Sequence, residues 1–267
     1  LLWAPQAQAK AFTNYAFPPE ISFPAPDKLA YDIVIPGQRG PEGSEERRGD
    51  GTFTTKKITT GPYPKLQIAY SGTEPGGQAL HWTAYLDAKT LKPWGFTRTF
   101  ADERGTELLD IIFAEGQIRQ TLTQINGETI NRQLNNVGDY TLLPLLMLAG
   151  RGLVFEEGAM FSSTLLDPDR LSFQTPFIQV VGTEIVTVPA GIYDCWKVEF
   201  KMGGQVHRAY YAIKNTRIVA QLETGERVYR LRSHAFIAEE PKPKPKPSKP
   251  KAKPKPKDPI GPPIPPP

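Results

Sequence analysis

Apolar and polar residues alternate along many short segments of the chain, as they do in strands that bury one face. The segment IYDCWKVEFKM (192–202) shows the pattern clearly. One of its faces carries the apolar side chains of Trp196, Val198, Phe200 and Met202. The other carries Lys197, Glu199 and Lys201. We therefore predict a strand that is buried on its apolar face and exposed on its charged face.

Similar segments recur at short spacing and are separated by turn-forming residues. Asn126-Gly127 is a strong hairpin signal, and Glu115-Gly116 marks a second hairpin turn. By contrast, residues 36–51 combine many turn formers with no apolar period, which predicts a long loop. The predicted strands cover 28–35, 52–59, 65–71, 80–87, 94–101, two hairpins within 107–134, 160–166, 177–188, 192–202, 205–213, 217–224 and 227–234.

Only the segment GDYTLLPLLMLAGRG (138–152) favours a helix, and its residues are apolar on all sides. We expect Thr141 to cap it, Pro144 to lie in its first turn, and Gly150 or Gly152 to end it. At about ten residues, such a helix is too short to span a bilayer. Two interpretations stay open: the helix plugs or covers a curved sheet, or it docks on a membrane surface.

About a dozen strands with one short helix predict an all-β fold. The expected architecture is a single antiparallel barrel or half-barrel with one short apolar helix. Full closure would remove exposed strand edges. We expect four regions: a signal-peptide remnant (1–9), an extended lead-in (10–27), the barrel-like domain (28–237) and a disordered Lys/Pro-rich tail (238–267).

The net charge of the chain is +4, but it is divided unevenly along the sequence. Residues 241–257 contain eight lysines and no acidic residue, so the rest of the chain is mildly acidic. A basic nucleic-acid-binding domain is therefore not indicated. The candidate polyanion-binding residues are Lys242, Lys244, Lys246, Lys249, Lys251, Lys253, Lys255 and Lys257.

Alternating lysine and proline in this tail favours extended polyproline II over helix or sheet. At about 3.1 Å per residue, residues 241–267 would reach on the order of 80 Å. The tail either contacts an anionic envelope polymer or a partner, or acts only as a solubilising extension.

The N-terminal segment LLWAPQAQA contains the pattern Ala7-Gln8-Ala9 after an apolar Leu-Leu-Trp. This resembles the end of a secretory signal peptide, and the alternative is an ordinary flexible N-terminus. We expect an exported protein, periplasmic or associated with the cell envelope. We expect no transmembrane segment, because no apolar run reaches about 20 residues.

Cys195 is the single cysteine, which excludes an intramolecular disulfide. Its position in the alternating pattern predicts that it lies on the polar face with Tyr193 and Lys197. The pattern places no histidine beside it, which favours an inert thiol over redox or nucleophilic chemistry. Asp167 and Asp169 flank a proline and are expected to form a turn.

No nucleotide-binding, hydrolase or metal-ligand motif is present, so we expect no catalytic residue, cofactor or metal. Arg208, Arg230 and Arg232 either form a basic stripe or pair with carboxylates across neighbouring strands.

We expect the site of function to be a cavity inside the barrel. The residues expected to line it are Trp196, Val198, Phe200 and Met202. In one interpretation they enclose a lipid or another apolar ligand. In the other they simply fill the core.

The stretch EIVTVPAGIYDCWKVEF resembles a motif of exported bacterial proteins in the domain-of-unknown-function 3108 family. YLDAKTLKPWGFTRTF and VGDYTLLPLLMLAGRGLVFEEGAMF are similar to further segments of that family, so that the resemblance covers roughly 28–232. It implies an exported, barrel-like β fold and supplies no established catalytic residues. The long 36–51 segment and the Lys-Pro tail depart from the family pattern.

The sequence thus favours a non-enzymatic envelope protein with an apolar binding site and a polycationic tail. A lipid or lipoprotein carrier is a more specific version of this hypothesis. An envelope assembly factor that acts by protein contacts and a hydrolase are the alternatives.

Overall fold

The computed structural model describes residues 13–14, 27–39, 45–58, 65–136, 138–153, 155–214 and 218–236. The expected signal-peptide remnant (1–9) and Lys-Pro tail (238–267) lie outside the described residues. Most of the expected lead-in (10–27) lies outside them too.

Strands account for most of the described chain. In the first half they are β1 (Thr13–Asn14), β2 (Asp27–Arg39), β3 (Glu45–Ile58), β4 (Lys65–Thr73), β5 (Ala79–Asp87), β6 (Pro93–Asp102), β7 (Gly105–Ala114), β8 (Gln117–Thr123), β9 (Thr129–Asn135) and β10 (Thr141–Leu142). In the second half they are β11 (Met160–Ser162), β12 (Leu165–Asp167), β13 (Ser172–Gln174), β14 (Phe177–Val188), β15 (Gly191–Met202), β16 (Gln205–Ala212), β17 (Val219–Thr224) and β18 (Arg227–Phe236).

Within the described residues, fifteen of these strands form one sheet. Its order is β1-β11-β14-β15-β16-β17-β18-β2-β3-β4-β5-β6-β7-β8-β9. All neighbours in this sheet are antiparallel except β1 and β11. A small second sheet has the order β10-β12-β13. The predicted all-β class is confirmed, as a large antiparallel sheet of the half-barrel kind.

The pairing of β18 with β2 joins the last long strand of the described residues to the first. The hairpins β2–β9 therefore lie on one side of this junction and the hairpins β14–β18 on the other. The core lies on the face of the sheet where apolar side chains alternate inward, as Leu66, Ile68 and Tyr70 do on β4.

The predicted apolar helix is shorter and less regular than expected. Strand β10 comes first, and it is followed by a 3-10 turn (Leu143–Leu145), α1 (Leu146–Ala149) and a second 3-10 turn (Gly150–Gly152). The predicted cap at Thr141 is wrong, because this residue pairs with Leu165 in the small sheet.

The helical segment packs against the sheet, as the first interpretation proposed. Its buried core residues are Leu145, Leu146 and Leu148.

Among the described residues, no helix has the length and apolar character that crossing a membrane requires.

Two strand boundaries also differ from the predictions. The expected loop at 36–51 is largely a hairpin, because β2 continues to Arg39 and β3 begins at Glu45. Backbone pairing requires no apolar alternation, so the pattern gave no signal there. The expected strand 160–166 is two strands, since β11 pairs with β14 whereas β12 belongs to the small sheet.

Cys195 lies in the core, although the alternation along its strand placed it on the more polar face. Its side chain is 0% exposed, and its neighbour across the strand pair is the buried Ala212.

The tip of the β14–β15 hairpin lies against β18, where the Ala190 N–H donates a hydrogen bond to the Leu231 carbonyl at 3.0 Å. Both faces of the sheet are covered here, since the consecutive residues Tyr210 and Tyr211 are both buried. Alternation along one strand cannot reveal a cover that comes from another part of the chain.

Candidate ligand-binding cleft

A cleft of about 270 Å³ lies between the two halves of the sheet. Met202 ends β15, Thr224 ends β17 and Glu74 directly follows β4, and all three residues line the cleft. Because neighbouring strands alternate in direction, the turns that follow these residues lie at the same end of the sheet. The cleft is therefore located at one end of the half-barrel.

Three aromatic rings from neighbouring strands form one wall of the cleft. They belong to Phe53 on β3, Tyr70 on β4 and Trp82 on β5. The ring centroids of Phe53 and Tyr70 are 4.8 Å apart, and those of Tyr70 and Trp82 are 5.9 Å apart. Such contacts fix the rings in place, which gives the cleft a preformed apolar wall.

The opposite wall comes from the C-terminal half of the sheet. It consists of Met202, His207, Leu222 and Tyr229, which lie on four consecutive strands. The helical segment supplies a third side through Leu143, Pro144 and Leu146. The lining is thus mainly apolar and aromatic, with a few polar groups, which is the usual composition of a small-molecule site.

A pair of glycines allows Tyr70 to occupy its position. Gly51 and Gly72 face each other across β3 and β4. A Cβ atom on either residue would lie 2.6 Å from the Tyr70 hydroxyl oxygen. The ring therefore lies over bare backbone, as aromatic residues do when they cover strand glycines.

The Tyr70 hydroxyl contacts a buried carboxylate, Glu74, which forms an ion pair with the partly exposed Arg227. The Tyr70 hydroxyl donates a hydrogen bond to Oε1 of Glu74 at 2.8 Å. Arg227 donates to the other oxygen, Oε2, through its Nη1 atom. The Glu74 side chain is 3% exposed, whereas that of Arg227 is 41% exposed. The carboxylate is therefore compensated by one cation and one hydroxyl, as a buried charge requires.

The two tyrosines beside this pair remain protonated. Burial raises the pKa of Tyr70, and the neighbouring Tyr229 and Glu74 raise it further. Burial also raises the pKa of Tyr229, with a further contribution from Glu74. Both hydroxyls are thus neutral hydrogen-bonding groups at neutral pH.

His207 faces the cleft from β16. Burial lowers the pKa of its imidazole, so the ring is neutral at neutral pH. Its Nδ1 atom is buried and has no hydrogen-bond partner among the described residues. His207 therefore adds polarity to this wall without adding charge.

The four residues expected to line a cavity lie at different places in the structure. Met202 lines the cleft, whereas Val198 and Phe200 are fully buried in the core. Trp196 stacks on Phe155, with ring centroids 6.2 Å apart and an interplanar angle of 11°.

Cys195 lacks the properties of a nucleophile. Burial raises the pKa of its thiol to about 12, and the carboxylates of Asp194 and Glu184 contribute to the increase. The thiolate is the reactive form, so the thiol is unreactive at neutral pH while the fold is intact.

The other candidate polar residues have structural partners. Asp167 accepts hydrogen bonds from the backbone N–H groups of Asp169 and Arg170, which makes the expected turn. Arg208 pairs with Glu199 at 3.1 Å, and Arg232 pairs with Asp32 at 3.2 Å. Among the described residues, no three His, Cys, Asp or Glu side chains are grouped as a metal site would require.

Sequence reasoning missed most of the cleft. Tyr70 and Trp82 could have been assigned to an inner face from the alternation in KLQIAYS and LHWTAYLD. Glu74 carried no comparable signal, since in GTEPGGQ it resembles an ordinary turn residue. Its partner Arg227 is 153 residues away in the chain, and only the β18–β2 pairing brings the two close together.

The sequence model of a family described as "Protein of unknown function (DUF3108)" matches residues 45–232. The chain belongs to this family. The match includes most of the large sheet, the helical segment and all the residues named as lining the cleft. The resemblance predicted from the sequence is thus confirmed at the level of the family. No curated protein matches the chain.

Three solved structures resemble the chain at low sequence identity. A β-barrel-like protein of the domain-of-unknown-function 1849 family from Brucella abortus is 12% identical, covering 80% of this chain and 98% of its own, with a TM-score of 0.48. A "putative lipoprotein" from Parabacteroides distasonis is 12% identical, covering 83% and 99%, with a TM-score of 0.33. A "putative exported protein" with a YmcC-like fold from Bacteroides fragilis is 9% identical, covering 78% and 95%, with a TM-score of 0.30.

Proposed function

We propose that this protein is a non-catalytic binding protein of the cell envelope that holds an apolar molecule in its cleft. The observation that carries the proposal is the cleft itself, about 270 Å³ in volume and lined mainly by aromatic and aliphatic side chains. Burying apolar ligand surface against such a lining contributes roughly 25 cal/mol per Å². The A-x-A pattern at 7–9 supports export.

A binding role is favoured over a hydrolytic one by the chemistry of the candidate groups. The Cys195 thiol is buried and protonated, and Asp167 is engaged in a turn. Glu74 is tied to Tyr70 and Arg227, which leaves its carboxylate poorly placed to accept a proton from a substrate.

Filling the cleft should weaken the binding of an apolar probe. Leu222 lines the cleft, and Leu222→Trp would occupy part of its volume. We expect at least about tenfold weaker binding of N-phenyl-1-naphthylamine, a loss of about 1.4 kcal/mol. Fluorescence titration of the purified chain without detergent measures this affinity, and circular dichroism confirms that the variant folds.

Ile112→Trp is the matched control, because Ile112 is 56% exposed on β7. It adds a tryptophan to the surface and should leave the affinity unchanged. The proposal fails if the unaltered protein takes up no probe, or if both variants bind it equally well.

The basic segment provides a second part of the proposed function. Eight lysines within 241–257 supply a dense positive charge that is separate in sequence from the mildly acidic remainder. We propose that this segment contacts an anionic polymer or lipid surface of the envelope, since clusters of four to eight lysines bind such surfaces electrostatically. The protein would then hold its ligand close to that surface.

A further inference from the structure

Building on the proposed role of the cleft, we infer that its ligand is an uncharged amphiphile with a single alkyl chain, such as a medium-chain alcohol, rather than a fatty-acid anion or a diacyl lipid.

The volume of the cleft limits the ligand to one chain. The cavity measures about 270 Å³. An apolar protein cavity of about 150 Å³ holds one benzene molecule, so this cleft has room for roughly twice that volume. A single chain of medium length fits this space, whereas two acyl chains and a glycerol backbone do not.

The polar end of the cleft is already neutral without a ligand. Glu74 contributes one negative charge and Arg227 compensates it. The Tyr70 hydroxyl donates a hydrogen bond to Oε1 of Glu74, and Arg227 donates one to Oε2. An anionic head group would have to compete with a buried carboxylate for the same guanidinium, and it would be repelled by that carboxylate.

The remaining groups that face the cleft offer hydrogen bonds but no charge. Tyr229 on β18 keeps its proton, and the His207 ring on β16 is neutral. Thr224 on β17 adds a hydroxyl, and the lining residues from β3, β5, β15 and the helical segment do not titrate. A hydroxyl head can both donate to and accept from such a set, whereas a carboxylate would be buried without a free cation.

The decisive experiment compares three probes that differ only in the head group. 1-Decanol, decanoate and decyltrimethylammonium would compete with N-phenyl-1-naphthylamine for the unaltered full chain at pH 8. We expect 1-decanol to displace the probe at a concentration at least about tenfold below that of decanoate, because a buried unpaired charge costs more than this difference of about 1.4 kcal/mol. Decyltrimethylammonium should also compete poorly, since Arg227 already neutralises Glu74. Didecanoylphosphatidylcholine tests the size limit and should not compete.

Glu74→Gln tests whether the Glu74 carboxylate causes the preference for 1-decanol over decanoate. It removes the repelling carboxylate and leaves Arg227 without its counter-charge, so the difference between decanoate and 1-decanol should shrink at least severalfold. Glu184→Gln is the matched control, because Glu184 pairs with Lys197 at a site 47% exposed and outside the cleft. It should leave the ratio of the two affinities unchanged.

Equal or tighter binding of decanoate to the unaltered protein would overturn the inference while leaving the proposed function intact. Tight competition by the diacyl lipid would overturn the size limit. If the fluorescent probe does not bind at all, the proposed function fails and this inference fails with it. The comparison of head groups on the unaltered chain decides the question even if Glu74→Gln does not fold.

Discussion

At the scale of single residues, the cleft depends on two glycines, which have no side chain beyond a hydrogen atom. Gly51 and Gly72 leave space for the Tyr70 ring, and Tyr70 in turn hydrogen-bonds Glu74. Neither glycine has the positive φ angle that would demand a glycine for its backbone. Their role is therefore to permit close approach, which links a local sequence feature directly to the shape of the site.

Substituting one of these glycines should destabilise the fold. In Gly72→Ala the new Cβ would lie 2.5 Å from the Asp50 carbonyl oxygen and 2.6 Å from the Tyr70 hydroxyl oxygen. We expect a loss of about 1–3 kcal/mol in the free energy of unfolding, as for other overpacked sites. Urea denaturation followed by tryptophan fluorescence measures this change.

Gly95→Ala is the control, because its Cβ would meet nothing closer than 3.8 Å. We expect its effect to stay within about 0.5 kcal/mol. An equal loss for the two variants would show that crowding at Tyr70 is not the cause.

At the scale of elements, the helical segment is fixed to the sheet by a buried ion pair. Arg151, in the second 3-10 turn, donates a hydrogen bond through Nη2 to Oδ2 of Asp27 at the start of β2. Both side chains are at most 5% exposed. The three short turns of this segment have little helical stability of their own, so such anchors determine where Leu143 and Leu146 lie at the cleft.

Breaking this anchor should be costly. Arg151→Met leaves the Asp27 carboxylate buried without its cation, and we expect a loss of about 3–5 kcal/mol in the free energy of unfolding. The double variant Asp27→Leu/Arg151→Met should lose less than Arg151→Met alone, because no buried charge remains. Chemical denaturation of the three proteins gives the comparison.

Lys197→Met serves as the control for this prediction. It removes the Lys197–Glu184 pair, whose atoms are 2.9 Å apart and whose side chains are 26% and 47% exposed. The expected loss is below about 1 kcal/mol. A loss from Arg151→Met no larger than this would contradict the anchoring role.

At the scale of the whole molecule, the cleft exists only because the two halves of the sheet meet. Its aromatic wall comes from β3–β5, its second wall from β15–β18, and its third side from the helical segment between them. The basic segment carries eight lysines and no acidic residue, and it lies after all of these elements in the sequence. The proposed ligand binding and the proposed surface contact therefore belong to separate parts of the chain.

Removing the basic segment should abolish binding to anionic surfaces without affecting the cleft. We expect a chain ending at residue 240 to stop sedimenting with phosphatidylglycerol vesicles in low salt, because each lysine contributes about 1 kcal/mol at such a surface. The full chain should also lose this binding at about 0.5 M salt, through screening.

A chain ending at Ile260 retains all eight lysines and removes only the terminal proline-rich residues. It should sediment like the full chain. If the chain ending at residue 240 sediments unchanged in low salt, electrostatic anchoring by this segment is ruled out.

Local sequence patterns determined the strands and many of their turns. Residues 177–188 form β14 as predicted, and the turns at Glu115-Gly116 and Asn126-Gly127 join β7 to β8 and β8 to β9. Such features depend on neighbouring residues, because alternation and turn chemistry act over a few positions. The all-β class and the family resemblance could be inferred from the same patterns.

Only the tertiary structure decided which faces are covered and which strands meet. Cys195 is buried although the alternation placed it on the polar face, and Glu74 becomes part of a cleft because β18 pairs with β2. Of the four residues predicted to line a cavity, only Met202 is found at the cleft. The physical reason is that the pairing of β18 with β2, across about 200 residues, depends on the total burial of many side chains. The local pattern records only that a residue is apolar.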